Sequence, residues 1–475
     1  MIAAAASLLS SMFNHALEWP RWALVLLASL TAVALVLAGL TRAQASPPTP
    51  PTSPLTTKLK GASESFAGFQ RGYLSVYLLV MLADWLQGPN IYGLYKSYGV
   101  DPGALFLCGF LSSAVFGTYA GMLVDVVGRK HACLIFCALE VIIQLVEHCP
   151  NFWVLLFGRV LGGISTSLLF CAFESWYVTE HRTRGFGDHL LKSTFALASA
   201  GNGVSAIAAG VLAQVATDVS GLIGPFRLAL GLTVVAAALI LPWVENYGGA
   251  RSPRGSAVAG GEGRGGWRAA LGALYDDPVV LCVGLAHAFF EGAMFTFVFA
   301  WVPALEGALE KGRGGELPVG LVFSAFMLAV TIGGLAFSLS HAWASNHALA
   351  CGVYALAAAS MAVPVAHEDF ASVLACFLVL EMCVGLFQPV SGSQRSEHLP
   401  ESLQSSIMTV LRLPLNVLVV TGTHLAGHAP LGTVWKTCAA WHACALVLQL
   451  AAGGLAGRSP RRRGVEAAAA AKKAQ

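Results

Sequence analysis

Apolar segments near the ~20-residue length of a bilayer-crossing helix recur along almost the whole chain. They fall at about 22–41, 72–94, 103–123, 131–147, 152–177, 193–215, 222–243, 278–302, 317–339, 347–365, 371–391, 404–424 and 432–456. That is one N-terminal segment followed by twelve. Of the 475 residues, 56% are hydrophobic and only 11% are charged, whereas soluble domains carry about 25% charged residues. So few charges cannot cover a soluble surface. The chain reads as an all-α polytopic membrane protein.

Two polar stretches divide the segments. Residues 42–70 are rich in Pro, Ser and Thr, and residues 244–275 are rich in Gly and Arg; both read as flexible loops. The expected parts are an N-terminal span with its Pro-rich loop (1–70), a six-span half (71–243), a Gly/Arg-rich linker (244–276), a second six-span half (277–456) and a basic tail (457–475). Lys and Arg concentrate on one side of this layout, including Arg129, Lys130, Arg182, Arg184, Lys192, Arg254, Arg264 and Arg395. The positive-inside rule makes that side cytoplasmic. Ala43-Gln44-Ala45 also fits a signal-peptidase site. The apolar run before it is long for a signal peptide, and cleavage would place residue 46 on the wrong side for the charge pattern. An uncleaved extra span is expected. The cysteines lie mostly inside apolar spans without a C-x-x-C pair, so neither a disulfide framework nor a metal site is expected. The lack of a basic face with interleaved aromatics argues against nucleic-acid binding.

The turn after the second core span reads Gly121-Met122-Leu123-Val124-Asp125-Val126-Val127-Gly128-Arg129-Lys130. It resembles the G-x-L-x-D-x-x-G-R-[KR] signature of the major facilitator superfamily, which implies the major facilitator fold: two six-helix halves, here with an extra N-terminal transmembrane segment. Gly121 and Gly128 permit close helix approach and a tight turn. Asp125 is placed to pair with Arg129 or to face a helix N-terminus. Gly121, Asp125, Gly128, Arg129 and Lys130 thus form a candidate conformational latch. The matching turn of the second half, Ser338 to Trp343, does not keep the pattern.

In that superfamily, core spans 1, 4, 7 and 10 line the central cavity, and in this chain each carries an ionisable group. Core span 1 has Asp84 with Gln87 on the same face. Core span 4 has Arg159, Thr166 and Glu174 on one helical stripe. Core span 7 has His287 and Glu291, four apart, and core span 10 has Glu381. Core span 11 adds Arg412, before Leu413-Pro414. Charges inside a membrane are costly and mark function or pairing. Both readings stand for several of them. Glu174 either serves transport or pairs with Arg182 or Arg184, and Arg412 either meets substrate or neutralises Glu381. Glu140 has no clear facing, and His287 reads as a packing histidine.

Longer strings resemble one branch of the superfamily, the molybdate-anion transporter family. They are Ala83-Asp84-Trp85-Leu86-Gln87-Gly88-Pro89, Gly158-Arg159-Val160-Leu161-Gly162-Gly163-Ile164-Ser165-Thr166, Phe173-Glu174-Ser175-Trp176-Tyr177, Trp243-Val244-Glu245-Asn246-Tyr247, Phe290-Glu291-Gly292 and Leu411-Arg412-Leu413-Pro414. The resemblance implies import of molybdate across a cell membrane, most naturally the plasma membrane.

A tetrahedral dianion needs fixed cations or several donors, since a guanidinium offers forked N–H groups to an oxyanion. Arg159 and Arg412, one in each half, are the expected anion contacts, with Thr166 and Gln87 as neutral donors. Asp84, Glu291, Glu381 and Glu174 are the expected proton-coupling carboxylates. No cofactor is expected; the expected partners are the anion, protons and the lipid bilayer. A carrier of another anion, or a solute sensor that does not transport, are the competing readings. No nucleotide loop or nucleophile–base pair points to an enzyme.

Overall fold

The computed structural model describes residues 18–44, 56–117, 119–247, 262–312, 314–400 and 403–456. These residues build helices α1 (Arg21–Gln44), α2 (Thr56–Gln87), α3 (Ile91–Ser97), α4 (Pro102–Gly117), α5 (Ala120–Val127), α6 (Arg129–Val146), α7 (Phe152–Thr183), α8 (Asp188–Ser220) and α9 (Gly224–Ile240). They continue with α10 (Glu262–Asp276), α11 (Pro278–Gly312), α12 (Val319–Ser340), α13 (Asn346–Ala366), α14 (Phe370–His398), α15 (Gln404–His428) and α16 (Leu431–Ala456).

Ten of the helices are long and apolar enough to cross a membrane, or up to eleven when α4 and α5, bent by 60°, count as one broken span. Two more core spans fall below that measure. Helix α6 carries Arg129, Lys130 and Glu140, and α9 has only 17 residues. The protein is a multi-pass integral membrane protein with an all-helical fold.

Two compact units divide the helices. The first holds α1–α9 and residues 317–328; the second holds α10, α11, the remainder of α12 and α13–α16. The stretches read as loops are partly helical. After the prolines that end at Pro54, residues 56–70 continue as the first turns of α2, because nothing beyond Pro54 blocks helix propagation. Within 244–275, the Gly-rich run gives way to α10, whose Ala270 and Leu274 are buried against Val280, Leu399, Ile407 and Leu411. An amphipathic face of this kind holds a helix that composition alone would assign to loop.

Side-chain caps fix several helix starts. The Asn151 side chain accepts from the backbone of Trp153 and Val154, Ser345 from Ala348, and Asp369 from Ser372. Small residues set helix spacing inside the first unit. A Cβ on Gly163 would lie 2.5 Å from Ser112, which places α4 against α7 at nearly backbone distance. Ser112 Oγ then donates to the Val160 carbonyl at 2.7 Å.

Candidate functional site

The signature turn is built as a latch. Helix α5 ends at Gly128, whose φ of 106° lies where L side chains are strained, and α6 starts at the next residue. Arg129 reaches back to Asp125 at 2.7 Å and donates from Nη1 to the Ser175 carbonyl on α7 at 3.1 Å. The segment after α9 is strapped over this joint. The Glu245 carboxylate accepts from the backbone N–H groups of Lys130 (2.9 Å) and His131 (3.0 Å), at the N-terminus of α6, where a negative charge also meets the helix dipole. Arg129 N–H donates to the Asn246 carbonyl at 3.0 Å, Lys130 Nζ to the Leu241 carbonyl at 2.7 Å, and Trp243 stacks on Trp176 with centroids 3.8 Å apart. Gly121 differs from Gly128: a Cβ there meets no described atom within 4 Å, so the close approach expected at Gly121 is not realised.

Deeper in the first unit lies a buried polar network. Arg159 Nη2 donates to Glu147 Oε1 at 2.7 Å, and the Glu147 side chain is fully buried. Tyr95 Oη donates to the same oxygen at 2.8 Å, and the guanidinium lies 5.6 Å from the Tyr95 ring centroid. One turn or two away on α6, Glu140 accepts from Gln87 Nε2 (3.1 Å), Ser165 Oγ (2.6 Å) and Gln144 Nε2 (3.4 Å). Glu140, Gln144 and Glu147 are spaced by four and three residues, so α6 turns one polar face into the unit. Asp84 is half-buried within electrostatic reach of Glu140 and forms no hydrogen bond among the described residues. Gln87 is committed to Glu140, whereas Thr166 and Glu174 are exposed on α7. Glu180, not Glu174, pairs with Arg184 at 2.8 Å. Trp85 Nε1 donates to Asn202 Oδ1 at 2.8 Å.

The second unit holds a separate charged group. His287 Nε2 and Gln394 Oε1 are 3.0 Å apart, which fixes α11 against α14; Phe387 meets the His287 ring edge-to-face at 5.5 Å. One turn further along α11, the Glu291 carboxylate lies in the fields of two guanidiniums, Arg395 on α14 and Arg412 on α15. Glu381 is buried and takes part in no hydrogen bond or ion pair among the described residues, and the charge of Arg412 falls on Glu291 rather than on it.

Three residues in these groups escape sequence reasoning. Glu147 sits at the end of an apolar span, where a carboxylate reads as a solvated flank. Its one signal is the spacing from Glu140 and Gln144. Arg395, three residues from the end of α14, reads as a cytoplasmic flanking charge. Glu245 lies beyond the last residue of its span.

The comparisons with known proteins agree with this architecture. A major facilitator family model, described as sugar transporters with 12 transmembrane segments, matches residues 54–387. A Xenopus tropicalis protein named molybdate-anion transporter is 34% identical over 386 residues, covering 78% of this chain and 82% of that protein. A Takifugu rubripes protein of the same name is 32% identical over 393 residues, covering 75% and 79%. The chain belongs to the molybdate-anion transporter family. Among solved structures, the nucleoside transporter NupG superposes with a TM-score of 0.61 at 13% identity, covering 81% of this chain and 98% of that one. A peptide transporter in complex with sulfate gives 0.63 at 14% identity, covering 82% and 94%. Both show the major facilitator fold for this family member, and the named relatives make membrane transport its activity class. The strings that carry the family resemblance are also where helices lock together: Trp85 on Asn202, Arg159 on Glu147, and Trp243 to Asn246 over the latch.

Proposed function

We propose that this member of the family imports molybdate across the plasma membrane by alternating access, coupled to protons. The observation that carries the substrate is the set of relatives named molybdate-anion transporter, at 31–34% identity over about three quarters of the chain. The charge pattern supports it. Arg412 is exposed and forms no hydrogen bond or ion pair among the described residues, so its N–H donors are available to an oxyanion. Arg159 meets an anion only by leaving Glu147. Thr166 is an accessible hydroxyl, and Gln87 orders Glu140.

Coupling follows from energetics. A dianion entering against 100 mV faces roughly 4.6 kcal/mol. Two protons carried with it cancel that cost, and each unit of pH gradient adds about 1.4 kcal/mol per proton. Asp84, Glu291, Glu381 and Glu174 are the carriers we propose, and the latch holds the cytoplasmic face of the first unit in one of its states.

The test is radiolabelled molybdate uptake at nanomolar concentration in cells lacking their own high-affinity system, with excess sulfate as competitor. Saturable, sulfate-resistant uptake that rises with an inward proton gradient is expected. Well-expressed protein with no uptake above background refutes the substrate. Uptake indifferent to the gradient refutes the coupling. The family model's description as sugar transporters favours one rival, which labelled hexose in the same cells addresses.

A further inference from the structure

Three contacts fix the register of α11, α14 and α15 in the second unit. His287 meets Gln394 at 3.0 Å. Leu411 fills the notch at Gly284, and Leu418 fills the notch at Gly292, where a Cβ would lie 2.7 Å from Leu418 Cβ. The two notches are eight residues apart on α11 and their fillers seven apart on α15, so these helices run parallel. Arg412, on α15, therefore stands just past the first notch, level with the stretch of α11 that runs from Gly284 to Glu291. On α14, Arg395 follows Gln394 directly and lies near the Gly392 backbone, with Nη2 3.9 Å from the position of a Cβ there. Both guanidiniums act on the Glu291 carboxylate, yet neither forms an ion pair or hydrogen bond among the described residues. Gln394 is fully buried, and its Nε2 has no partner among the described residues, so an amide donor stands unused beside Arg395. Two forked cations and a spare N–H group are more donor capacity than one carboxylate consumes.

We propose that Arg395 and Arg412 form the binding site for a tetrahedral divalent oxyanion, with Glu291 as a built-in counter-ion that takes up a proton when the oxyanion enters. The inference rests on the molybdate reading above and adds Arg395 as the second cation and the linkage of Glu291 protonation to anion entry. Empty, the site carries two positive charges and one negative. A dianion beside an ionised Glu291 leaves a net negative charge in a poorly solvated place. If Glu291 accepts a proton from the aqueous side, the loaded site is neutral. Anion and proton therefore favour each other's binding, as linkage requires. Tyr354 on α13 also lies within electrostatic reach of Glu291, and His287, one turn back on α11, lies within reach of Arg395 and His398 on α14. Tyr354 Oη is buried without a hydrogen-bond partner among the described residues. While neutral, Tyr354 and His287 add no fixed charge, so the balance between the two arginines and Glu291 decides the proton.

The experiment uses the full chain in proteoliposomes, with radiolabelled molybdate as probe and uptake measured from outside pH 7.5 to 5.5. Variants are Arg395→Ala, Arg395→Lys, Arg412→Ala and Glu291→Gln, each checked for a monodisperse elution profile. Arg395→Ala and Arg412→Ala are expected to raise KM at least tenfold, with Arg395→Lys between them and the wild type. Glu291→Gln is expected to lose the acceleration at low pH. As a readout independent of turnover, molybdate should raise the melting temperature of wild type more than that of Arg395→Lys. A wild-type KM in Arg395→Ala, or a wild-type pH response in Glu291→Gln, overturns the site while leaving the transport reading intact. If Arg395→Ala does not fold, equal molybdate stabilisation of Arg395→Lys and wild type overturns it instead. Absence of uptake by wild-type protein sinks the molybdate reading itself, and this site with it.

Discussion

Removing the Glu147 carboxylate isolates what Arg159 does. The pair is held at 2.7 Å with Glu147 fully buried and the Arg159 side chain 17% exposed, so solvent screens it little. Glu147→Ala removes the ion-pair partner of Arg159, and Tyr95 Oη also loses its acceptor. An orphaned charge in such a place costs about 3–5 kcal/mol, whereas replacing both members by apolar groups of similar size is close to neutral. At about 2–4 °C per kcal/mol for a unit of this size, the single variant should melt on the order of 10 °C lower. Arg159→Ala should fall comparably, because it leaves Glu147 unpaired. In a cycle built on Glu147→Leu and Arg159→Met, the double variant should recover most of the loss, so that it is less destabilised than the sum of the two single variants by several kcal/mol. The assay is thermal unfolding of detergent-purified protein. Additive losses in the double variant would refute the claim that the two side chains are structural partners. They would return Arg159 to the role of a free anion contact.

Gly128→Ala puts a Cβ on a residue at φ 106°, 2.8 Å from Glu245 Oε1. It should cost about 1–3 kcal/mol and slow uptake; an unchanged melt and unchanged uptake would rule out a tight joint at the latch. Glu245→Ala uncaps the N-terminus of α6 and should lower stability by roughly 1–2 kcal/mol, with Glu245→Gln losing less; equal melts for all three proteins would contradict the strap. In the connection between α13 and α14, the hydrogen bond from Lys311 holds the Glu368 carboxyl below the usual carboxylate range. A depressed carboxylate stabilises above its unfolded pKa of about 4.3 and stops doing so as pH falls through its folded value. Glu368→Gln should therefore melt slightly below wild type at pH 7 and match it at pH 3, with the gap shrinking in salt. If molybdate moves with two protons, uptake should ignore a potassium–valinomycin potential in wild type and respond to it in Glu291→Gln, where one proton is lost; a potential-driven wild type would exclude that stoichiometry.

The sequence was most legible where lipid imposes the rule. Unbroken apolar lengths located the helices, and the Asp125–Arg129 pair followed from four-residue spacing next to a glycine. Legibility failed where a residue's role depends on what packs against it. Glu140 and Glu147 look alike in the sequence, yet one orders three neutral donors and the other binds a guanidinium, because Ser165 and Arg159 lie on different turns of α7. Residues 56–70 and α10 read as loop from their polar composition, yet both are helical. A helix needs only an amphipathic face and a surface to bury it, and that surface is tertiary. Arg395 was read as a flank because span length counts residues and ignores the reach of a long side chain.

The two units differ in electrostatic character, and the difference bears on how a dianion is carried. In the first, one cation, Arg159, lies beside the carboxylates of Glu147 and Glu140, and Asp84 lies within electrostatic reach of Glu140. In the second, two cations face Glu291. An anion gains nothing by entering a group where carboxylates outnumber arginines, because Arg159 is already satisfied and the surplus charge repels it. A proton gains there for the same reason, and on the coupling proposed above Asp84, which forms no hydrogen bond among the described residues, is the member placed to accept one. A carrier needs both properties to move a divalent anion against a negative interior. Dividing them between units lets each be tuned separately, and, on the two-proton coupling proposed above, it singles out Asp84 in the first unit and Glu291 in the second as the pair that neutralises the load.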